Sequence, residues 1–162
     1  MNASLKPSQI VLMASGAVTF LFSFFAFFKY EDESWNAWSG DIGTMFMATW
    51  PALFGLIIAG LVAAVAFGNV SLPDKVLTFS WSQVYFILAA FSALIMVGYL
   101  LGGGIADFGG ASADKGIGFI FMLLGSLGMV AGAVMELLGV GPQDPVGGGS
   151  AGGSAGQPPS PF

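Results

Sequence analysis

The sequence predicts an all-α fold: a polytopic transmembrane four-helix bundle with a disordered C-terminal tail. Three observations predict it. Apolar residues make up 56% of the 162 residues and charged residues only 8%, where a soluble domain carries roughly 25% charged. Apolar stretches at residues 10–28, 44–67, 84–101 and 117–140 approach or exceed the length of about 20 helical residues that crosses a hydrocarbon core. After Gly141 the composition turns abruptly to Gly, Pro, Ser and Ala. The chain therefore divides into a transmembrane domain over 1–140 and a tail over 141–162. Mean hydropathy is +0.84.

The four stretches lack the apolar–polar alternation of a barrel strand, so helices are the structures that satisfy their backbone in lipid. The first follows Lys6 and ends in Phe27, Phe28 and Lys29. It is too long for a signal-peptide core and has no small-residue cleavage pattern, so it reads as a retained span. Its crowd of Phe residues, from Phe20 to Phe28, suits contact with lipid. Pro51 near the start of the second span predicts a kink in a longer helix.

The loops carry weaker signals. Glu31, Asp32 and Glu33, with Asp41 nearby, lack the spacing of a calcium loop and read as a solvated charge run. Trp35 and Trp38 sit three apart, as on one face of a helix at the headgroup surface. Trp50 and Trp81 fall near span ends, where an aromatic belt places them. Ser71, Pro73 and Asp74 form a helix-start pattern that predicts a short amphipathic helix before the third span. The glycines from Gly102 to Gly110 have acidic neighbours and no phosphate-loop register, so they read as a flexible connection. The tail should be disordered and act as a tether. Lys6 and Lys75 fall on one side of the membrane and Lys29 and Lys115 on the other, a tie; the free amino terminus tips the expectation toward cytoplasmic termini.

Composition removes most site chemistry. The chain has no His and no Cys, and its four basic residues are all Lys. Thiol catalysis, Ser-His-Asp triads, Cys-type zinc sites and bidentate Arg clamps have no residues to build them. The net charge of −5 opposes nucleic-acid binding. No cofactor and no metal site are expected, and no enzymatic activity.

Two constellations stand out. Gly118, Gly125, Gly128, Gly132, Glu136 and Gly139 share one face of the fourth helix. Gly125, Gly128 and Gly132 are candidates for close helix packing, with Gly60, Ala64 and Gly68 as the equivalent set on the second helix. The first helix offers a hydroxyl stripe, Ser15, Thr19 and Ser23, able to bond across helices. Glu136 points with the glycines toward protein. An inward carboxylate is a candidate ion or proton site, with Ser15, Thr19 and Ser23 as its continuation. It also lies about one turn from the predicted helix end, where it reaches water or headgroups. No Lys or Arg within a span is available to pair with it. The Met residues read as fillers of packing gaps.

The segments Ser34-Trp35-Asn36-Ala37-Trp38, Leu72-Pro73-Asp74-Lys75-Val76-Leu77 and Ala113-Asp114-Lys115-Gly116-Ile117-Gly118-Phe119, with the order of four spans and a Gly/Pro tail, carry a resemblance across nearly the whole chain. The chain resembles the small four-helix integral membrane proteins of high-GC Gram-positive bacteria, an actinobacterial type without an assigned activity. That resemblance implies a bacterial plasma-membrane location and transfers no catalytic residues. The expected function is a non-catalytic membrane scaffold or accessory subunit of a larger envelope complex, partnered by the bilayer and by other membrane proteins or itself. The alternative is a proton, ion or small-solute channel or transporter component using Glu136.

Overall fold

The computed structural model describes residues 5–39, 46–68, 70, 73, 75–102, 107–108, 111–112 and 114–139. Four helices run α1 (Pro7–Phe22), α2 (Phe46–Phe67), α3 (Trp81–Leu101) and α4 (Ile117–Leu137). They pack in a ring, α1 on α2, α2 on α3, α3 on α4 and α4 back on α1. α2, α3 and α4 are long and apolar enough to cross a membrane. The all-α, four-helix expectation therefore holds. The expected tail, 141–162, lies outside the described residues.

The first span is a correction. α1 stops at Phe22, not Phe28, and its 16 residues give a helix of about 24 Å. The chain leaves the helix through tight bonds three residues apart, Phe25 N–H to the Phe22 carbonyl at 3.1 Å and Ser23 N–H to the Phe20 carbonyl at 3.2 Å. It then enters a small antiparallel sheet. β1 (Phe28–Tyr30) pairs with β2 (Glu33–Trp35) on one side and β5 (Asp114–Lys115) on the other. A further short pair joins β3 (Asp107–Phe108) to β4 (Ala111–Ser112). The sheet changes the fate of the Phe cluster. Phe24 and Phe25 are about half exposed, but Phe27 and Phe28 are buried. Phe27 meets Tyr99 and Phe119 edge-on at 5.3 Å each. The aromatic residues Phe28, Tyr30 and Trp35 favour strand over the helix that a spacing of three suggested.

This sheet closes one end of the bundle because α4 starts there. The free N–H groups of its first turn need acceptors. Gly116 N–H donates to the Phe27 carbonyl at 2.9 Å and Gly118 N–H to the Ala26 carbonyl at 2.8 Å. A Cβ at Gly118 would lie 2.7 Å from the Phe25 carbonyl oxygen, so glycine is what allows the approach. Lys115 Nζ covers the other side, donating to the Leu100 carbonyl at the end of α3 at 3.1 Å.

At the opposite end, the predicted amphipathic helix before α3 is absent from the described residues 75–80. Val76 and Phe79 bridge across a tight turn with Leu77 at φ 58°. The α3 start lies instead at Ser80, whose N–H donates to Gln83 Oε1 at 2.9 Å. α2 continues through Pro51 as one helix, with the ring fully buried. Pro51 sits close enough to the helix start that the N–H it lacks removes a single early bond.

The packing sets the glycines apart. α1 approaches α2 through Gly16 and Gly55: a Cβ on Gly55 would lie 2.7 Å from the Gly16 carbonyl oxygen. α1 approaches α4 through the predicted face, where a Cβ on Gly125 would lie 2.9 Å from the Ser15 carbonyl oxygen and one on Gly132 would lie 2.9 Å from Leu12 Cγ. A Cβ on Gly128 would collide with Ser15 Oγ. The second helix does not use the expected set. Gly60 faces open space, Gly68 lies just past the helix end against its own Ala64 carbonyl, and Ala64 is only partly buried. The seam residues are Gly55 and Ala59, which fall on the face turned to α1.

Inside, two apolar clusters lie along the bundle axis. One gathers Phe27, Phe28, Ala48, Ala52, Met96, Tyr99, Phe119 and Met122 at the sheet end. The other gathers Leu12, Ile58, Val62, Tyr85, Ala89, Met129 and Ala133 at the opposite end. Met96, Met122 and Met129 are fully buried, as gap fillers. Between the clusters, by helix position, lie Thr19, Gly55, Gly125, Ser92 and Ser126. Ser92 and Ser126 share a buried hydrogen bond at 2.8 Å from α3 to α4. The outer surface is inverted relative to a soluble protein: Leu56, Ile57, Phe91, Leu94, Leu124 and Leu127 are exposed.

Two alanine substitutions separate these glycines. Gly125→Ala should cost about 1–3 kcal/mol, because the new methyl meets α1 backbone. Gly60→Ala should be neutral or gain up to about 1 kcal/mol from helix propensity. Thermal unfolding in detergent, followed by circular dichroism, checks both; equal effects would contradict the seam.

Candidate functional site

The end of the bundle away from the sheet brings together the start of α1, the end of α2, the start of α3 and the end of α4. Glu136 lies in the last turn of α4. Its carboxylate is 19% exposed. Antiparallel packing puts it beside the first turn of α1, where Ser8 Oγ donates a hydrogen bond to Glu136 Oε2. Lys6, just before α1, places Nζ 3.9 Å from Oε1 and is itself 61% exposed. The expectation that no Lys or Arg within a span pairs with Glu136 is compatible with this contact, because Lys6 precedes α1. The partner comes from the residues leading into a span, not from within one.

A cavity of about 330 Å³ opens beside this carboxylate, lined by Gln9, Val62, Val65, Val70, Trp81, Tyr85 and Glu136. Its polar groups are already arranged. Gln9 Oε1 accepts the Lys6 backbone N–H at 3.2 Å, a bond that starts α1. Trp81 Nε1 donates to the Pro73 carbonyl at 2.7 Å. Trp81 and Tyr85 stand one turn apart on α3 with ring centroids 6.1 Å apart.

The hydroxyl stripe does not continue this site. Thr19 is fully buried and donates to the Ser15 carbonyl at 2.8 Å, while its side chain abuts Gly125 and Gly55. Ser15 faces Gly128. Ser23 donates to the Phe20 carbonyl at 2.5 Å and accepts Trp38 Nε1 at 2.8 Å. Ser23 is 15 residues along from Ser8, at the sheet end. The four residues Glu136, Ser15, Thr19 and Ser23 are thus spread along the bundle and separated by packed glycine contacts.

The tryptophans divide between the ends. Trp38 stacks on Phe24 at 5.6 Å and, with Trp35 on β2 and Trp50 in the first turns of α2, belongs to the sheet end. Trp81 belongs to the other. Lys29 and Lys115 lie in adjacent strands at the sheet end, and Lys6 at the opposite end. The acidic run forms the β1–β2 turn, with Glu31 at φ 51°; Asp41 lies outside the described residues. Among the described residues, no group of three or more His, Cys, Asp or Glu is placed to hold a metal ion.

Sequence reasoning found Glu136 but missed Lys6, Ser8, Gln9 and Tyr85 as its neighbours. The signal was present. In an up-down bundle the start of the first helix and the end of the fourth share one membrane face, so Lys6 and Glu136 were a candidate pair. Comparison with family models, curated proteins and solved structures finds no match to this chain.

Two substitutions weigh the two bonds at Glu136. Glu136→Gln keeps an acceptor for Ser8 and should change stability by under about 1 kcal/mol. Glu136→Leu strands the buried Ser8 hydroxyl and should cost about 1–3 kcal/mol. Thermal unfolding in detergent measures both; a Gln variant as unstable as the Leu variant would show that the charge, not the hydrogen bond, holds this corner.

Proposed function

We propose that the protein is a non-catalytic membrane scaffold or accessory subunit of a larger envelope complex. The observation that supports this most is the middle of the bundle. Thr19, Gly55, Gly125, Ser92 and Ser126 fill it, and the hydroxyls bond one another or their own backbone. A conductor needs polar groups that face a continuous path; these face neighbouring helices at contact distance. The apolar outer faces of α2, α3 and α4 suit lipid and the flanks of other membrane helices. The composition, without His, Cys or Arg, supports a role outside catalysis. We place the chain in a bacterial plasma membrane with both termini cytoplasmic; the location rests on the sequence resemblance.

A second reading keeps a proton, ion or small-solute channel or transporter component. The cavity beside Glu136 favours it, as a vestibule. It requires a route onward past Thr19, which the scaffold reading does not.

Purification of the full chain from native membranes in mild detergent, followed by mass spectrometry, distinguishes the two. The scaffold reading predicts a reproducible stoichiometric membrane partner, and no proton or cation flux when the protein alone is reconstituted in liposomes. A partner-free homo-oligomer whose flux falls in Glu136→Gln would overturn it.

A further inference from the structure

The cavity at the Glu136 end has a composition that selects a ligand class. One wall is a carboxylate, one is a pair of aromatic rings, and the remainder is Val62, Val65 and Val70. Its volume of about 330 Å³ lies at the lower end of the range for small-molecule sites. We propose that it binds a small alkylammonium carrying an oxygen, the chemistry shared by free amino alcohols and by zwitterionic lipid headgroups.

Each wall argues for part of that ligand. A carboxylate accepts at about four lone-pair positions, and Ser8 and Lys6 take one oxygen each. Acceptor capacity remains for a cation. The Lys6 contact, at 3.9 Å from a side chain 61% exposed, is long and loosely held, and a ligand ammonium displaces it without stripping a buried partner. Trp81 uses its N–H on the Pro73 carbonyl, so the ring is what it presents to a ligand, and an alkylammonium is attracted to such a ring. The valines take its methyl or methylene groups. Gln9 uses its oxygen at the start of α1, which leaves its NH₂ to donate toward an oxygen on the same ligand. A bare divalent cation fits less well. It wants six or more oxygens, and among the described residues no acidic group of three gathers here. This inference does not depend on the proposed function; it holds for an accessory subunit and for a conductor alike.

Radiolabelled choline binding to the purified full chain in phosphatidylglycerol nanodiscs tests it. Binding should be saturable, competed by ethanolamine and indifferent to equimolar sodium. Glu136→Gln should weaken it at least about tenfold, and Trp81→Leu by about three- to tenfold. Lys6→Met should strengthen it about two- to fivefold by removing the competing ammonium; that residue is exposed, so the variant folds. A purely structural Glu136–Lys6 pair predicts no such gain. Nanodiscs of phosphatidylcholine identify the source: loss of free choline binding there names the lipid headgroup as occupant, and retention names the soluble amino alcohol. No saturable binding by the unmodified chain, choline affinity unchanged in Glu136→Gln, or competition by sodium equal to that by ethanolamine would overturn the proposal.

Discussion

The structure depends on how closely α1 approaches its neighbours. α1 is only 16 residues long, and it lies between α2 and α4. Gly16 and Gly55 let it reach α2, and Gly125, Gly128 and Gly132 let it reach α4. In lipid the hydrophobic effect does not drive helices together, so packing and interhelical contacts must. Thr19 shows how this works at one residue. Its Cβ meets Gly55, its hydroxyl meets Gly125, and the hydroxyl proton goes to the Ser15 carbonyl. A hydroxyl in that place tolerates no larger neighbour.

The shortness of α1 has its own consequence. Residues 23–27 are non-helical backbone near the end of an apolar bundle, and such backbone needs internal partners where water is scarce. It finds them in the N–H groups of Gly116 and Gly118, in the bond from Phe27 N–H to the Trp35 carbonyl at 2.7 Å, and in the bond from Ala37 N–H to the Ser23 carbonyl at 3.1 Å. The small sheet is therefore what lets a short helix end inside a bundle of longer ones. Its acidic turn stays at the surface, and its Phe28 is buried against Tyr99 of α3.

Much of this was legible in the sequence. The lengths and apolarity of α2, α3 and α4 showed directly, because continuous apolar runs have one simple reading. The α4 glycine face was legible because Gly125, Gly128 and Gly132 obey helical spacing. The α2 face was misread. Gly60, Ala64 and Gly68 obey the same spacing as Gly55 and Ala59, and only the angle at which α2 meets α1 decides between them. The end of α1 was hidden because Phe24 to Phe28 are as apolar as the helix before them, so hydropathy does not change where the backbone does. At the candidate site, Glu136 was legible as an inward carboxylate, but Lys6 and Ser8 are 130 and 128 residues away in the chain. Their meeting is a property of the helix order.

The central claim is that the middle of the bundle is dry and closed while the Glu136 end is open. The chain has no native Cys, so an introduced thiol reports its own surroundings, and only a hydrated thiol ionises and reacts readily. The most direct measurement is labelling of Thr19→Cys and Lys6→Cys, each reconstituted in liposomes, with a charged thiol reagent applied to both sides. The account predicts rapid labelling at Lys6→Cys and none at Thr19→Cys. Labelling of Thr19→Cys at a comparable rate, in a variant that keeps its helical signal, would reveal water at the α1–α4 seam and contradict it.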